Sequence, residues 1–142
     1  MAALSSEAVQ AACVAVDGRG VLIECRGGDA RVDMALRLID RGAVLVAGQQ
    51  TVCLRQDGQL LASAPSGAGG RIEIAGLGAV EMAHAARVPV DLLIVLLDAA
   101  PRFPDDKRTR SIAGVEVPVL ALSAIDQAAP IKAELWLRQK NE

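Results

Sequence analysis

The sequence predicts an α/β domain built on a mixed β-sheet with few helices. Three features of the 142 residues support this prediction. Apolar runs at 43–48, 90–97 and 115–122, rich in Val, Leu and Ile, are typical of strands that are covered on both faces. Ahead of the first run, the apolar spacing changes from a strand period to a helix period. Asp-Gly pairs mark tight turns between the shorter apolar runs.

The first predicted elements are a β-hairpin and a helix. Residues 13–16 and 21–23 are apolar runs on either side of "DGRG", a strong turn signal, so they predict an opening hairpin. From Val32 onward the apolar residues follow the i, i+3, i+4, i+7 spacing, and Gly42 supplies a C-terminal stop. The order from Val21 is therefore strand, loop, helix, strand.

The middle of the chain predicts further short strands. Residues 51–54 and 59–62 flank the hairpin pair Asp57-Gly58. The alternating "RIEI" at 71–74 predicts one more strand, and "AGLG" after it is rich in strand breakers.

The last part of the chain joins two buried strands and then closes the domain. "APRFPDDKRTR" at 100–110 predicts a solvated connection between those strands. "APIKAELWLRQK" at 129–140 fits either a closing helix or an edge strand, and we favour the helix.

Composition favours a single domain over residues 1–142 that lies in the cytoplasm. The net charge is -2, the basic residues are scattered, and only Phe103 and Trp136 are aromatic. This pattern argues against a nucleic-acid-binding surface. The N-terminus has neither a basic nor an apolar segment of a signal peptide, and the most apolar run, 89–97, is interrupted by Asp91. We therefore expect no membrane insertion.

The three cysteines are widely spaced and include no Cys-x-x-Cys pair. That spacing predicts neither a disulfide framework nor a zinc site. Free cysteines are usually buried, so we expect Cys13 and Cys53 to be small core residues.

The glycine-rich segment "PSGAGG" at 65–70 has the composition of a phosphate loop without its context. A phosphate loop needs a strand before it and a helix after it, because backbone N–H groups and the helix dipole converge on the anion. This segment leads into the strand pattern at 71–74, so it predicts an inter-strand loop. The required context occurs instead in "VLIECRGGDARVDMALRLIDRG" at 21–42.

The phosphate-loop motif G-x-x-x-x-G-K-[ST] falls on Cys25, Ala30, Arg31 and Val32 in that second segment. Cys25 and Ala30 carry side chains where glycine allows a tight turn and a close approach to phosphate. Arg31 keeps the positive charge but presents a wide planar guanidinium. Val32 lacks the hydroxyl that would bind magnesium. The segment has the position of a phosphate loop but not its motif residues.

The order of segments along the chain resembles a known enzyme family. "VLI", "DMALRLIDRGAVLVA", "RIEIAGLGAVEM" and "PRFPDDKRTRSIAGVEVPVLAL" follow the pattern of the catalytic domain of HPr kinase/phosphorylase. The chain is most similar to the short alphaproteobacterial type, which lacks the N-terminal domain. The resemblance runs from about Cys13 to the end, and its most specific part is "IEIAGLG" at 72–78. It implies a P-loop-containing, HPr-kinase-like fold.

The resemblance also implies an activity and a set of site positions. The family uses ATP with Mg, or pyrophosphate in some members, to phosphorylate a serine of the phosphocarrier HPr of the sugar phosphotransferase system, and it also catalyses phosphorolysis. The family's adjacent aspartates, one of them a general base, fall on Gly48 and Gln49, and its histidine falls near Gln10. Its metal-holding glutamate is Glu73. Its phosphate loop falls on eight residues: Cys25, Arg26, Gly27, Gly28, Asp29, Ala30, Arg31 and Val32.

The departures from the family pattern affect the catalytic residues and leave the scaffold segments intact. Because phosphoryl transfer depends on a metal, a lysine and a positioned base, we do not expect ordinary Mg-ATP kinase activity. The sequence predicts a regulatory pseudokinase that binds an HPr-type phosphocarrier or a signalling kinase. An active kinase/phosphorylase that binds ATP or pyrophosphate through a non-standard loop, with Arg31 and Glu73, is the alternative. A third possibility is a structural module that binds a signalling kinase or its own copies, since family members often form oligomers.

Asp29 adds a hypothesis about the loop itself. It lies just ahead of the predicted helix, where free backbone amides attract an anion. We expect its carboxylate to occupy that position or to pair with Arg26 or Arg31, which would leave the pocket partly self-filled.

Overall fold

The computed structural model describes residues 5–26, 29–103 and 107–140. These residues form eleven strands and two helices. No helix in these ranges has the length and apolar character of a transmembrane span. In chain order the elements are β1 (Ser6–Val9), β2 (Ala12–Val16), β3 (Arg19–Cys25), α1 (Ala30–Asp40), β4 (Val44–Ala47), β5 (Thr51–Gln56), β6 (Gln59–Ser63), β7 (Arg71–Ile74), β8 (Gly78–Glu81), β9 (Val88–Leu97), β10 (Thr109–Ile112), β11 (Val115–Ser123) and α2 (Ala129–Lys140).

The main sheet is mixed, and its centre is the longest strand, β9. β9 pairs in parallel with β3 and with β11, and its first residues pair antiparallel with β6. The strand order is β1-β5-β6-β9-β3-β2-β4, β10 pairs with β11, and β7 and β8 form a separate hairpin. Because β3, β9 and β11 are parallel, the loops that follow them lie at one edge of the sheet. In α/β sheets this edge is where ligands usually bind.

Both faces of the central strands are buried, as the continuous apolar runs predicted. Ile23 of β3 packs on the helical side with Leu38 of α1 and Leu137 of α2. Its neighbour Leu22 points to the opposite face, where it packs in the same cluster as Cys53. Alternating side chains of one strand therefore contribute to two cores, one under the helices and one under the hairpins.

The structure confirms the α/β fold class and most of the predicted elements. The opening hairpin turns at Asp17 and Gly18, with φ of 51° and 78°, and the closing segment is helix α2. Strands β1 and β8 were not predicted, and β10 begins inside the 100–110 segment that was expected to be only a connection. β10 forms because the turn at Ala113 and Gly114 folds it back onto β11.

Candidate functional site at the loop between β3 and α1

The strand-loop-helix context predicted for the site is present. β3 ends at Cys25 and α1 begins at Ala30, so the intervening loop lies at the C-terminal edge of the parallel strands. Cys25 is half-buried and Arg26 is exposed. Gly27 and Gly28, which also belong to the predicted loop, lie outside the described residues.

Asp29 is the N-cap residue of α1, but its side chain does not act as a cap. Its backbone oxygen accepts a hydrogen bond from the N–H of Asp33 at 2.9 Å, whereas its carboxylate makes no capping hydrogen bond. In the part of the chain that the structure describes, no ion pair joins Asp29 to Arg26 or Arg31. The hypothesis of a self-filled pocket therefore finds no supporting contact.

Arg31 is directed to the turn between β1 and β2. Its Nη1 donates a hydrogen bond to the backbone oxygen of Gln10 at 3.2 Å. The next carbonyl, that of Ala11, accepts a hydrogen bond from the buried hydroxyl of Thr51 at 2.9 Å, which anchors the turn to β5. The structure thus brings together the positions that the resemblance assigns to a lysine and a histidine, and the contact between them uses the backbone.

Val32 is a core residue in the first turn of α1. It is 5% exposed and belongs to a small cluster with Leu45 of β4 and Ile72 of β7, each 1% exposed. The position that the resemblance assigns to a magnesium-binding hydroxyl therefore holds an apolar side chain that packs α1 against two strands. A hydroxyl buried here without a hydrogen-bond partner would destabilise the protein by about 1–3 kcal/mol.

Gly48 lies directly beneath β7. A Cβ atom at this position would lie 3.2 Å from the backbone oxygen of Arg71 and 3.2 Å from both Cα and Cγ1 of Ile72. Any side chain at residue 48 therefore requires β7 to shift by a few tenths of an ångström. Gln49, the second position of the expected aspartate pair, is exposed in the turn that follows β4.

Glu73 lies on β7 beside this cluster but on its other face. Successive side chains of a strand point to opposite sides, and Ile72 faces Val32 and Leu45. Glu73 is therefore directed away from them, and it is exposed. Across the described ranges, no group of three or more His, Cys, Asp or Glu side chains is arranged to hold a metal ion.

Two carboxylates at this edge of the sheet are occupied by ion pairs. Glu24, next to the end of β3, pairs with Arg110 of β10. Asp126, in the loop after β11, pairs with Lys132 of α2 at 2.5 Å, and this hydrogen bond lowers the pKa of Asp126. A carboxylate with a lowered pKa is a weak proton acceptor, so Asp126 is poorly suited to general-base chemistry.

The "PSGAGG" segment is an inter-strand loop, as predicted, and its last glycines have a packing role. A Cβ atom at Gly70 would lie 2.7 Å from Nδ1 of His84 and 2.8 Å from the backbone oxygen of Met82. A Cβ atom at Gly69 would lie 2.7 Å from Nε2 of the same imidazole. These glycines allow the chain after β8 to pass close by, where Met82 N–H donates to the Gly70 oxygen at 2.8 Å.

The sequence did not reveal that Ile72 packs against both Val32 and Gly48. The alternation of "RIEI" did indicate that Ile72 and Glu73 point to opposite sides of a strand. It carried no information on which element the apolar side would cover, because the contact joins residues far apart in the sequence.

The arrangement of strands, loop and helix agrees with the comparisons with known proteins. The family profile described as the HPr Serine kinase C-terminal domain matches residues 2–129. The chain belongs to this family. Among solved structures, the HPr(Ser) kinase/phosphatase from Coxiella burnetii matches with a TM-score of 0.80 and 28% sequence identity, covering 95% of this chain and 96% of that chain. The search of curated proteins gives no match. The resemblance inferred from the sequence is thus confirmed.

Proposed function

We propose that this member of the HPr serine kinase C-terminal domain family binds a protein partner and does not transfer phosphate. The burial of Val32 between Leu45 and Ile72 carries the proposal. Magnesium requires oxygen ligands in a near-octahedral arrangement. In nucleotide sites the protein supplies one or two of these oxygens, and phosphates and waters supply the others. An isopropyl group inside a hydrophobic cluster supplies no such ligand.

The other family positions point in the same direction. Gly48 has no side chain to accept a proton from a serine hydroxyl, and the neutral amide of Gln49 is not a base at ordinary pH. Glu73, the expected metal ligand, is directed to the face away from Val32. These residues do not fit a Mg-ATP site, so we derive no catalytic step through ATP or magnesium.

We propose an HPr-type phosphocarrier as the partner. The Coxiella burnetii relative is an HPr(Ser) kinase/phosphatase, and its fold extends over nearly all of this chain. A surface that recognises a protein depends on shape and charge over many residues, so it can persist after the few groups needed for chemistry have changed. A signalling kinase or a second copy of the chain is the alternative partner.

Isothermal titration calorimetry with ATP, ADP and pyrophosphate, each with and without Mg, tests the loss of nucleotide binding. We expect no heat of binding up to millimolar ligand. The Coxiella burnetii enzyme serves as the positive control in the same buffer. Magnesium-dependent binding at micromolar concentration, a free energy of about -8 kcal/mol, would contradict the proposal and favour an active enzyme with a non-standard loop.

The partner is tested separately with purified HPr-type phosphocarriers, with and without a phosphoserine. We expect saturable binding that Arg31→Glu weakens, because Arg31 lies at the candidate site. Arg138→Glu is the matched control, since Arg138 lies on α2 near the turn between β2 and β3, at the opposite edge of the sheet. Absence of binding to any form would exclude the phosphocarrier and leave the alternative partners.

A further inference from the structure

A groove lies between α2 and β11, apart from the loop between β3 and α1. It encloses about 480 Å³, and its walls are one side of α2, the strand β11, residues 100–103 and Arg108. Both aromatic residues of the chain, Phe103 and Trp136, line it. Leu120 and Leu135 add to an apolar floor. Concave apolar surfaces with aromatic side chains are typical of binding sites for protein segments.

The groove is positively charged. Arg102, Arg108, Lys132 and Lys140 line it, and none of its described lining residues is acidic. Lys132 is paired with Asp126 outside the groove, and the ammonium of Lys140 lies 5.6 Å from the centroid of the Trp136 ring. In the described ranges no ion pair neutralises Arg102 or Arg108. The groove is therefore complementary to carboxylates.

Exposed apolar side chains lie in the groove and next to it on α2. α2 packs on the sheet through one side, yet Ile131 and Leu135, one turn apart on another side, are 42% and 46% exposed. Phe103 is 76% exposed, and Ile125, just ahead of α2, is 83% exposed. Of the seven large hydrophobic residues that are exposed in the described chain, Phe103 and Leu135 line the groove, and Ile131 lies one turn from Leu135 on α2. Such clustering is typical of an interaction surface.

We propose that this groove docks an acidic amphipathic helix of a partner protein. Leucine-type side chains of that helix lie against Leu135 and Trp136, and its carboxylates face Arg102 and Arg108. A nucleotide is a poorer fit, because Lys140 already covers the Trp136 ring face on which a base would stack. A bilayer is also a poorer fit, because the site is concave. This proposal does not depend on the proposed function.

Trp136 makes the groove directly observable, since it is the only tryptophan of the chain. The probe is a synthetic helical peptide of about five turns, free of Trp and Tyr, with Leu on one face and Glu on the others. A matched peptide carries Lys in place of every Glu. We expect the Glu peptide to shift the Trp136 emission to shorter wavelength and to protect it from acrylamide, saturating at micromolar concentration. We expect no change with the Lys peptide.

Charge-reversed variants identify the binding surface. We expect Arg102→Glu combined with Arg108→Glu to weaken Glu-peptide binding about tenfold or more. Arg138→Glu, on α2 but outside the groove, is the matched control and should bind as the unmodified protein does. Leu135→Ser removes an exposed apolar contact without disturbing the core and should also weaken binding. Circular dichroism establishes that each variant is folded.

Several results would overturn the proposal. The first is no emission change with the Glu peptide up to millimolar concentration. The second is an equal response to both peptides, which indicates unspecific apolar contact. The third is an equal response to phosphatidylglycerol vesicles or to ATP alone, which indicates a lipid or nucleotide site. Unchanged binding in both the double Arg variant and Leu135→Ser would place the peptide elsewhere.

Discussion

Two regions of the molecule differ in whether their side chains have partners within the protein. They are the loop between β3 and α1 and the groove between α2 and β11. At the loop, Val32 is covered by β4 and β7, and Arg31 is bonded to a backbone carbonyl. In the groove, Arg108 has no acidic partner among the described residues, and Leu135 is exposed. Atoms of the chain itself therefore contact Val32 and Arg31 in the first region. In the second region, two arginines have no acidic partner among the described residues and apolar side chains stay exposed. On our proposals, the family's metal-binding position has become part of the hydrophobic core in this protein, and the protein binds partners through its surface.

The largest expected effect concerns the contact that closes the loop region. Ile72→Ala removes a side chain that is 1% exposed and leaves a cavity beside Val32, so we expect it to destabilise the protein by about 2–5 kcal/mol. Ile131→Ala, at a side chain 42% exposed on α2, should cost much less. Urea unfolding curves measure both. Equal losses would show that β7 does not form part of the core, which would contradict the buried contact between Ile72 and Val32.

The next effect concerns the residue on which the proposed function depends. Val32→Thr restores a hydroxyl of nearly the same shape, and we expect a loss of about 1–3 kcal/mol because the hydroxyl is buried among apolar side chains. Val44→Thr, at a valine 40% exposed in β4, is the matched control and should stay within about 0.5 kcal/mol. If Val32→Thr leaves the free energy of unfolding unchanged, or if Mg-ATP stabilises the variant, position 32 faces a ligand site.

Because two cysteines are buried, we expect the free energy of unfolding to fall as the pH rises above about 8.5. Burial raises the pKa of the Cys13 thiol, and it raises the pKa of Cys53 to about 11. In the unfolded chain these thiols lose their protons near pH 8.5, so above that pH the unfolded state binds fewer protons than the native state. Their contribution to stability is therefore complete below about pH 8.5 and is lost as the pH rises toward the folded-state values, by up to about 1.4 kcal/mol per unit for each thiol.

Urea midpoints between pH 7 and pH 10.5 measure this loss. Cys53→Ala should lower stability at every pH and reduce the slope above about pH 8.5, because one of the two titrating thiols is gone. A slope that stays the same in the variant would mean that other groups cause the alkaline loss.

The smallest effect leaves stability unchanged and distinguishes the cysteines by access. Cys25, half-buried at the end of β3, should react with a thiol reagent in the native protein, whereas Cys13 and Cys53 are completely buried and should react only on unfolding. Mass spectrometry after brief alkylation counts the modified residues. Rapid modification of Cys53 in native conditions would show that β5 opens readily, and it would undermine the pH prediction.

Local patterns predicted much of the fold, and long-range contacts account for most of what they did not predict. Period and turn residues indicated α1 and the hairpin of β2 and β3 because those signals lie within a few residues of one another. β1 forms by pairing with the distant strand β5 and has no strong strand pattern of its own. β10 is the exception, because it pairs locally with β11 through the tight turn at Ala113 and Gly114.

The same limit applies to the candidate site. Motif spacing predicted the loop position at Cys25 to Val32, and the structure confirms its strand-loop-helix context. It could not show that Ile72 packs with Val32, that Gly48 lies against β7, or that Phe103 lines one groove together with residues of α2. Each of these contacts joins residues that are distant in sequence, and packing between elements determines them.

A phosphoryl-transfer assay tests the central claim most directly. The purified chain is incubated with radiolabelled ATP, Mg and an HPr-type phosphocarrier, with the Coxiella burnetii HPr(Ser) kinase/phosphatase as the positive control. Val32, Gly48 and Gln49 stand at the positions that the resemblance assigns to a metal ligand and to the aspartate pair, and none of them carries a carboxylate or a hydroxyl. On the proposed function, we therefore predict no phosphoserine on the carrier after prolonged incubation. Time-dependent phosphorylation that depends on this chain would contradict the account.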